Sequence, residues 1–308
     1  MSVKTIQRHL KQNTKNVVEG SVDVFGLKKY LIDNEFPLAV CLCEDGTRIT
    51  AGVQYDYTTD SLRGLVAPLN ENGLPQTGLF TASSPYKIAQ MIKDYPTGNH
   101  VYVQMALPLA AGAAPFVLYH ACSDNKFDAT DVLNRWRYTE MVLREQGINV
   151  VANASDGDPR LMKAMKERSC LRNNYSKSTW GWWYSIEDEN NSVLNVQDMI
   201  HGINKIRNRL MRGDLKIGKF KVSTSHLKEL IQNHSKDKHR LSMSDIDLKD
   251  KMKFGPSLKM IDKDMINYLK QHVRQSSGTV LLLNVMRLMH NSFVDENFVP
   301  LDRVHDVW

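Results

Sequence analysis

The forty residues from Asp128 onward constrain this chain's fold more than any other segment. Between Asp128 and Gln146, apolar residues recur at helical spacing as Val132, Trp136, Met141 and Leu143, and Gly147 ends the run. INVVANAS at 148–155 then reads as a strand leaving that helix, and Pro159 opens a second helix, PRLMKAMKER. A helix, a strand and a helix so close together require a sheet with helices packed on it, an α/β arrangement.

The other segments extend this unit. PLAVCLC at 37–43 is a short apolar run between Pro37 and Asp45-Gly46, a buried strand by pattern. RITAGVQY at 48–55 and LRGLVA at 62–67 are expected to follow it as strands. Residues 70–85 read as a loop and 86–94 as a short helix. VYVQMALPL at 101–109, FVLYHAC at 116–122 and VLNVQDM at 193–199 are further strand candidates. Residues 1–35 read as a helical flank, and 200–308 as mostly helical and charged. The expected architecture is a mixed sheet with flanking helices, followed by a mostly α-helical region.

Composition narrows the class. The chain has 308 residues, 42% apolar and 24% charged, enough for about two soluble domains. A net charge of +6 fits a polyanionic partner without requiring one. The cysteines are Cys41, Cys43, Cys122 and Cys170; no CxxC pair has a matching CxxC or HxxxH, which argues against a zinc finger. Cys41 and Cys43, two apart in a strand-like run, are read as pointing to opposite sheet faces and so as unable to serve one metal together without distortion. The polar start, MSVKTIQRHLKQNTKN, is unlike a signal peptide, and no apolar run reaches the length of a membrane helix. An intracellular, reduced protein is expected.

Two acidic sites stand out. Asp45 follows the strand PLAVCLC, where a rigid element would hold a carboxylate at the sheet rim. Asp-Gly is also a hairpin dipeptide, so a plain turn is the competing reading. Asp156 follows INVVANAS in the sequence SDGDPR. Asp158 precedes Pro159 and is expected to cap the next helix, which leaves Asp156 for either an Asx turn or a ligand. If both strands share a sheet, Asp45 and Asp156 converge as catalytic and metal-binding carboxylates suited to Mg²⁺ or Mn²⁺ and phosphoryl transfer.

The order of strand–Asp-Gly, further strands, helix, strand–Asp-x-Gly, helix and strand is RNase H-like. The segments CEDGTRI…QYDYTTDSLRGLV, VYVQMALPL…PFVLYH, LNRWRYTEMVLREQGINVVANASDGDPRLMKAM and VQDMIHGINKIRNRLM resemble the P-element transposase family, including its THAP-containing animal relatives. The resemblance covers roughly residues 35–308. It implies a DNA transposase with an RNase H-like catalytic core over 36–199 and a partial GTP-binding helical insertion domain over 200–308. It assigns the first two catalytic acids to Asp45 and Asp156. It further implies DNA as partner, a nuclear location and a possible homo-oligomer.

Lys219 and Lys221, in the basic run KIRNRLMRGDLKIGKFKV, become candidate phosphate contacts for GTP by the same resemblance. No P-loop pattern supports them, and a solvated helix face is the competing reading. Asp198 and His201 lie one helical turn apart, with a capped histidine the simpler account. Trp180, Trp182 and Trp183 could stack on bases or anchor a core. Leu281, Leu282, Val285, Leu288 and Met289 are expected to form a buried stripe.

Two features depart from the family. Nothing before residue 35 resembles a THAP finger, and the chain is expected to stop at Trp308 inside the insertion, before the family's third acid, a glutamate. A transposase fragment or relic is the first reading. A catalytically inactive nucleic-acid-binding or protein-interaction module is the second, and a nuclease built on the same core is a third.

Overall fold

The computed structural model describes residues 18–170, 193–249 and 251–307. The chain forms two compact units, 1–196 and 197–308. No helix among the described residues is long and apolar enough to cross a membrane.

The first unit is built on a five-stranded sheet. Helix α1 (Val24–Asp33) precedes strand β1 (Ala39–Arg48). A short ribbon follows, β2 (Gln54–Asp56) and β3 (Ser61–Arg63), and then helix α2 (Pro85–Asp94). Strands β4 (His100–Pro108) and β5 (Phe116–Ser123) lead to helix α3 (Ala129–Glu145), strand β6 (Asn149–Ser155), helix α4 (Pro159–Cys170) and strand β7 (Leu194–Gln197). The spatial order is β5-β4-β1-β6-β7. β1 is antiparallel to β4 and parallel to β6, so the sheet is mixed and β1 sits at its centre. This is the RNase H-like arrangement.

Alternation along β1 decides which face is covered. Val40, Leu42 and Glu44 are buried, whereas Ala39, Cys41 and Cys43 are half-buried. Val24, Leu27 and Leu31 of α1 and Leu143 of α3 pack on the Val40–Leu42 face, and Ile148 and Val150 complete that core. Asp128 caps α3 through the Thr130 and Asp131 N–H groups, and Asp131 returns a bond to the Asp128 N–H. The helix α3 buries Val132, Leu133 and Trp136 against Leu161, Ala164 and Met165 of α4.

Three expectations are corrected here. Of residues 48–55 and 62–67, only Arg48 joins the five-stranded sheet, at the end of β1, and the strands found there, β2 and β3, are shorter than expected. Their paired residues form a separate ribbon, closed because the Asp56 carboxylate folds back onto the Thr58 N–H, the Thr59 hydroxyl and Arg63. Asp45-Gly46 is no turn: β1 continues paired with β4 as far as Arg48↔His100. Cys41 and Cys43, two apart on a strand, share a face, and the neighbouring Cys43 thiol together with burial pushes the Cys41 thiol above its usual range.

The second unit is helical with one hairpin. Helix α5 (Met199–Met211) leads to strands β8 (Leu215–Ile217) and β9 (Phe220–Val222), then helix α6 (Thr224–Asn233). Helix α7 (Lys236–His239), a 3₁₀ turn at Met243–Ile246 and helices α8 (Gly255–Met260), α9 (Lys263–His272), α10 (Ser277–Phe293) and α11 (Pro300–Val307) follow. Ile203, Leu210, Leu227, Leu230, Leu269 and Leu283 are fully buried in its own core. On α10 the buried stripe is Val280, Leu283 and Met286; of the expected stripe, Leu282 and Met289 are partly buried against the same core, whereas Leu281 and Val285 are exposed. The first turn fixes this rotation. Gly278 lies against the hairpin so closely that a Cβ there would stand 2.3 Å from the Lys221 carbonyl oxygen.

Candidate active site at the end of the central strands

The ladder between β1 and β6 ends at Glu44↔Ser155. Asp45 and Asp156 are the next residues on these two strands, which lie about 4.8 Å apart as sheet neighbours. The structure therefore brings both to one end of the sheet. Asp45 is exposed and Asp156 half-buried. One oxygen of each carboxylate accepts a nearby backbone N–H: Gly46 for Asp45 at 2.7 Å, and Asp158 for Asp156 at 2.9 Å. The Asx turn weighed for Asp156 thus exists, and it engages Oδ1 alone. Asp158 serves the α4 terminus, where Oδ1 accepts the Arg160 N–H at 2.8 Å.

Beneath this rim lies an ion pair that the sequence reading missed. Glu44 is 2% exposed and Arg135 3%. The Arg135 guanidinium donates to both Glu44 oxygens, through Nη2 to Oε1 at 2.5 Å and Nε to Oε2 at 3.3 Å. The Trp136 indole N–H donates to Oε2 at 2.7 Å, and Arg135 Nη1 to the Gly73 carbonyl at 2.9 Å. A signal was present: strand alternation turns Glu44 inward with Val40 and Leu42, and a buried carboxylate requires a cation.

A second network joins the segments that carry the two aspartates. Gly46 pairs with Tyr102, and a Cβ on Gly46 would lie 2.6 Å from the Tyr102 ring. The Tyr102 hydroxyl donates to Asn125 Oδ1 at 2.8 Å and accepts from Arg160 Nη2 at 3.1 Å. Arg160 also grips Asp158 through Nε and Nη2, at 3.0 and 2.7 Å, with its guanidinium 4.1 Å from the Phe127 ring centre. The residue after Asp45 and the helix after Asp156 are thereby tied to one arginine.

The hydrogen bonds from Arg160 hold the Asp158 carboxyl below the usual carboxylate range. A depressed folded value stabilises the fold above the unfolded value of about 3.9 and is lost as pH falls through the folded value. Replacing Arg160 by methionine is therefore expected to give a stability gap from wild type that narrows as pH falls below about 4, as read by urea denaturation at stepped pH.

The remaining candidates lie in the second unit. Lys219 and Lys221 sit on the turn and second strand of the β8–β9 hairpin, not on a helix face. Lys221 pairs with Asp214 at 2.8 Å, and the Lys219 ammonium is 5.6 Å from the Phe220 ring centre. Asp198 caps α5 and its Oδ2 holds His201 Nδ1 at 2.7 Å, so this histidine belongs to a helix cap. Trp180, Trp182 and Trp183 lie outside the described residues. Among the described residues, no three His, Cys, Asp or Glu side chains gather as a metal cage.

Comparison with known proteins gives a fold. No protein-family model matches the chain, and no curated protein matches it. A solved structure, the Drosophila P element transposase strand transfer complex, is similar with a TM-score of 0.62 at 15% identity. The likeness covers 96% of this chain and 60% of that one. This chain thus spans about 60% of the length of the protein it resembles, and at this identity the likeness establishes the shared fold.

Proposed function

We propose that the first unit carries part of a divalent-metal site for phosphoryl transfer on DNA, in a protein of P-element transposase type. The observation that carries this reading is the register: Asp45 and Asp156 leave neighbouring strands one residue beyond Glu44↔Ser155. The fold shared with a transposase captured in a strand transfer complex supports DNA as the partner.

The donor set fits Mg²⁺ or Mn²⁺. These cations take oxygen ligands, and Mg²⁺ is commonly held by one or two carboxylates, with substrate phosphate and water completing the shell. Bound there, the metal would activate an attacking oxygen and neutralise charge on the leaving one. The protein's part is placement. The ladder hydrogen bonds hold Asp45, and the turn at Asp158 orients Asp156 Oδ1. Glu44 and Arg135 keep the strand end seated, and Arg160 keeps α4 in register with Tyr102.

Mn²⁺-dependent nicking of a labelled DNA duplex tests the proposal. Asp45→Ala and Asp156→Ala should each lower the rate at least a hundredfold while leaving the circular dichroism spectrum unchanged. Equal nicking by wild type and both variants would sink it. An inactive DNA-binding module is the reading left if wild type binds DNA without nicking it.

The second unit is proposed to bind GTP through the hairpin that carries Lys219 and Lys221. Its support is two exposed cationic side chains on one hairpin, together with the shared fold. Millimolar GTP is expected to raise the melting temperature of wild type, and Lys219→Ala/Lys221→Ala should abolish the shift. An unchanged shift in that variant removes these lysines from the site.

A further inference from the structure

A cavity of about 380 Å³ lies beside the rim, within the size range of small-molecule sites. It is walled by Tyr95, Tyr102, Tyr119 and Phe127, with Ala121 and Arg135 also facing it. The register fixes its position: Gly46 pairs with Tyr102, and Tyr102 with Ala121. The cavity therefore lies at the same end of the sheet as Asp45 and Asp156. Directly paired residues share a face, so it occupies the face opposite Asp45.

Its walls are held before any ligand arrives. Tyr102 and Phe127 meet edge to face at 4.7 Å, as do Tyr95 and Phe80 at 5.0 Å. Two polar groups have capacity to spare. Tyr119 is 2% exposed, and its hydroxyl makes no hydrogen bond to any described residue. Arg135 directs three hydrogen bonds, to Glu44 and Gly73, from a guanidinium with five N–H donors. A tyrosine hydroxyl and guanidinium N–H groups at a cavity wall can each donate to an acceptor on a ligand.

We propose that this cavity is a nucleobase pocket, in which aromatic walls take the faces of a base and Tyr119 and Arg135 donate to its keto oxygens. Stacking suits any planar base, whereas donors aimed at a keto oxygen disfavour adenine, which has none. A base could come from a free nucleotide or from a DNA strand whose phosphate lies at the rim. The second source rests on the phosphoryl-transfer reading above and matches the position of the cavity. It requires the base to leave its stack, as enzymes acting on nucleotides within a duplex commonly demand.

Saturation-transfer NMR with dGMP and TMP tests the pocket, with deoxyribose 5-phosphate as the control that lacks a base. Base protons should be saturated by wild type and at least fivefold less by Ala121→Phe, which fills the cavity. Tyr119→Phe, which keeps the ring and removes the hydroxyl, should weaken dGMP binding severalfold and covers the case in which the filled variant does not fold. Absent base saturation, or binding unchanged in whichever of these variants folds, overturns the pocket. Single-stranded DNA carrying 6-methylisoxanthopterin, a fluorescent guanine analogue that keeps the keto oxygen, then identifies the source: a fluorescence change on binding, lost in the same variants, supports an extruded base. Nucleotide binding without that change overturns the strand as source and leaves the pocket to free nucleotides. All arms are run in EDTA, with Asp45→Asn/Asp156→Asn as a parallel protein, so that failure of the metal site and failure of the base pocket are read separately.

Discussion

Replacing Arg135 by methionine is expected to remove about 3–5 kcal/mol of stability, the cost of stranding a buried charge. Glu44 keeps only the Trp136 indole as donor in that variant, in a site 2% exposed. The lost bonds are charge-assisted, and the closer stands at 2.5 Å. Guanidinium denaturation, followed by fluorescence and circular dichroism, checks the figure. Removing both charges, as Glu44→Met/Arg135→Met, should recover most of the loss, because the desolvation penalty leaves with the pair. If the single variant loses less than about 1 kcal/mol, a loss typical of an exposed pair, the bridge is not sealed from water. The same experiment bears on the site, since Glu44 precedes Asp45. A charge that drags its strand end toward water would move the first carboxylate of the rim.

Much of this frame was legible because it follows from local rules. Gly147 and Pro159 bracket β6, and Asp158 caps α4 as its place before proline implies. What was not legible depended on partners distant in sequence. The Asp45-Gly46 dipeptide favours a hairpin by itself, yet β1 runs through it, because Tyr102, 56 residues later, lays its ring where a Cβ would be. Residues 48–55 carry strand-forming side chains, but the carboxylate of Asp56 and its hydrogen bonds close a ribbon outside the sheet. The α10 stripe was partly misplaced by the same kind of cause: the close approach at Gly278 sets the helix rotation, and periodicity alone gives no phase for it. The placement of Asp45 and Asp156 on one rim was accessible from sequence only through the family pattern. The register that puts them side by side belongs to β1–β6 pairing across more than a hundred residues.

That register has a thermodynamic consequence distinct from catalysis. Two carboxylates leaving neighbouring strands repel each other when both are ionised. Asp45→Asn/Asp156→Asn is therefore expected to be at least as stable as wild type without metal, the trade expected where a site is built at the expense of the fold. Added Mn²⁺ should reverse the order. A ligand that binds only the folded state adds about 2.7 kcal/mol at a concentration one hundred times its dissociation constant. Wild type should gain this in Mn²⁺ and the double variant should not. Differential scanning calorimetry of both proteins in EDTA and in stepped Mn²⁺ gives the four stabilities required. A double variant that melts lower in EDTA would mean that the carboxylates are structural hydrogen-bond acceptors rather than a charged pair awaiting a cation. Equal Mn²⁺ shifts in the two proteins would place the metal elsewhere. The crossing of the two curves, a more stable variant without metal and a more stable wild type with it, is the signature that neither a capping role nor a turn role can produce.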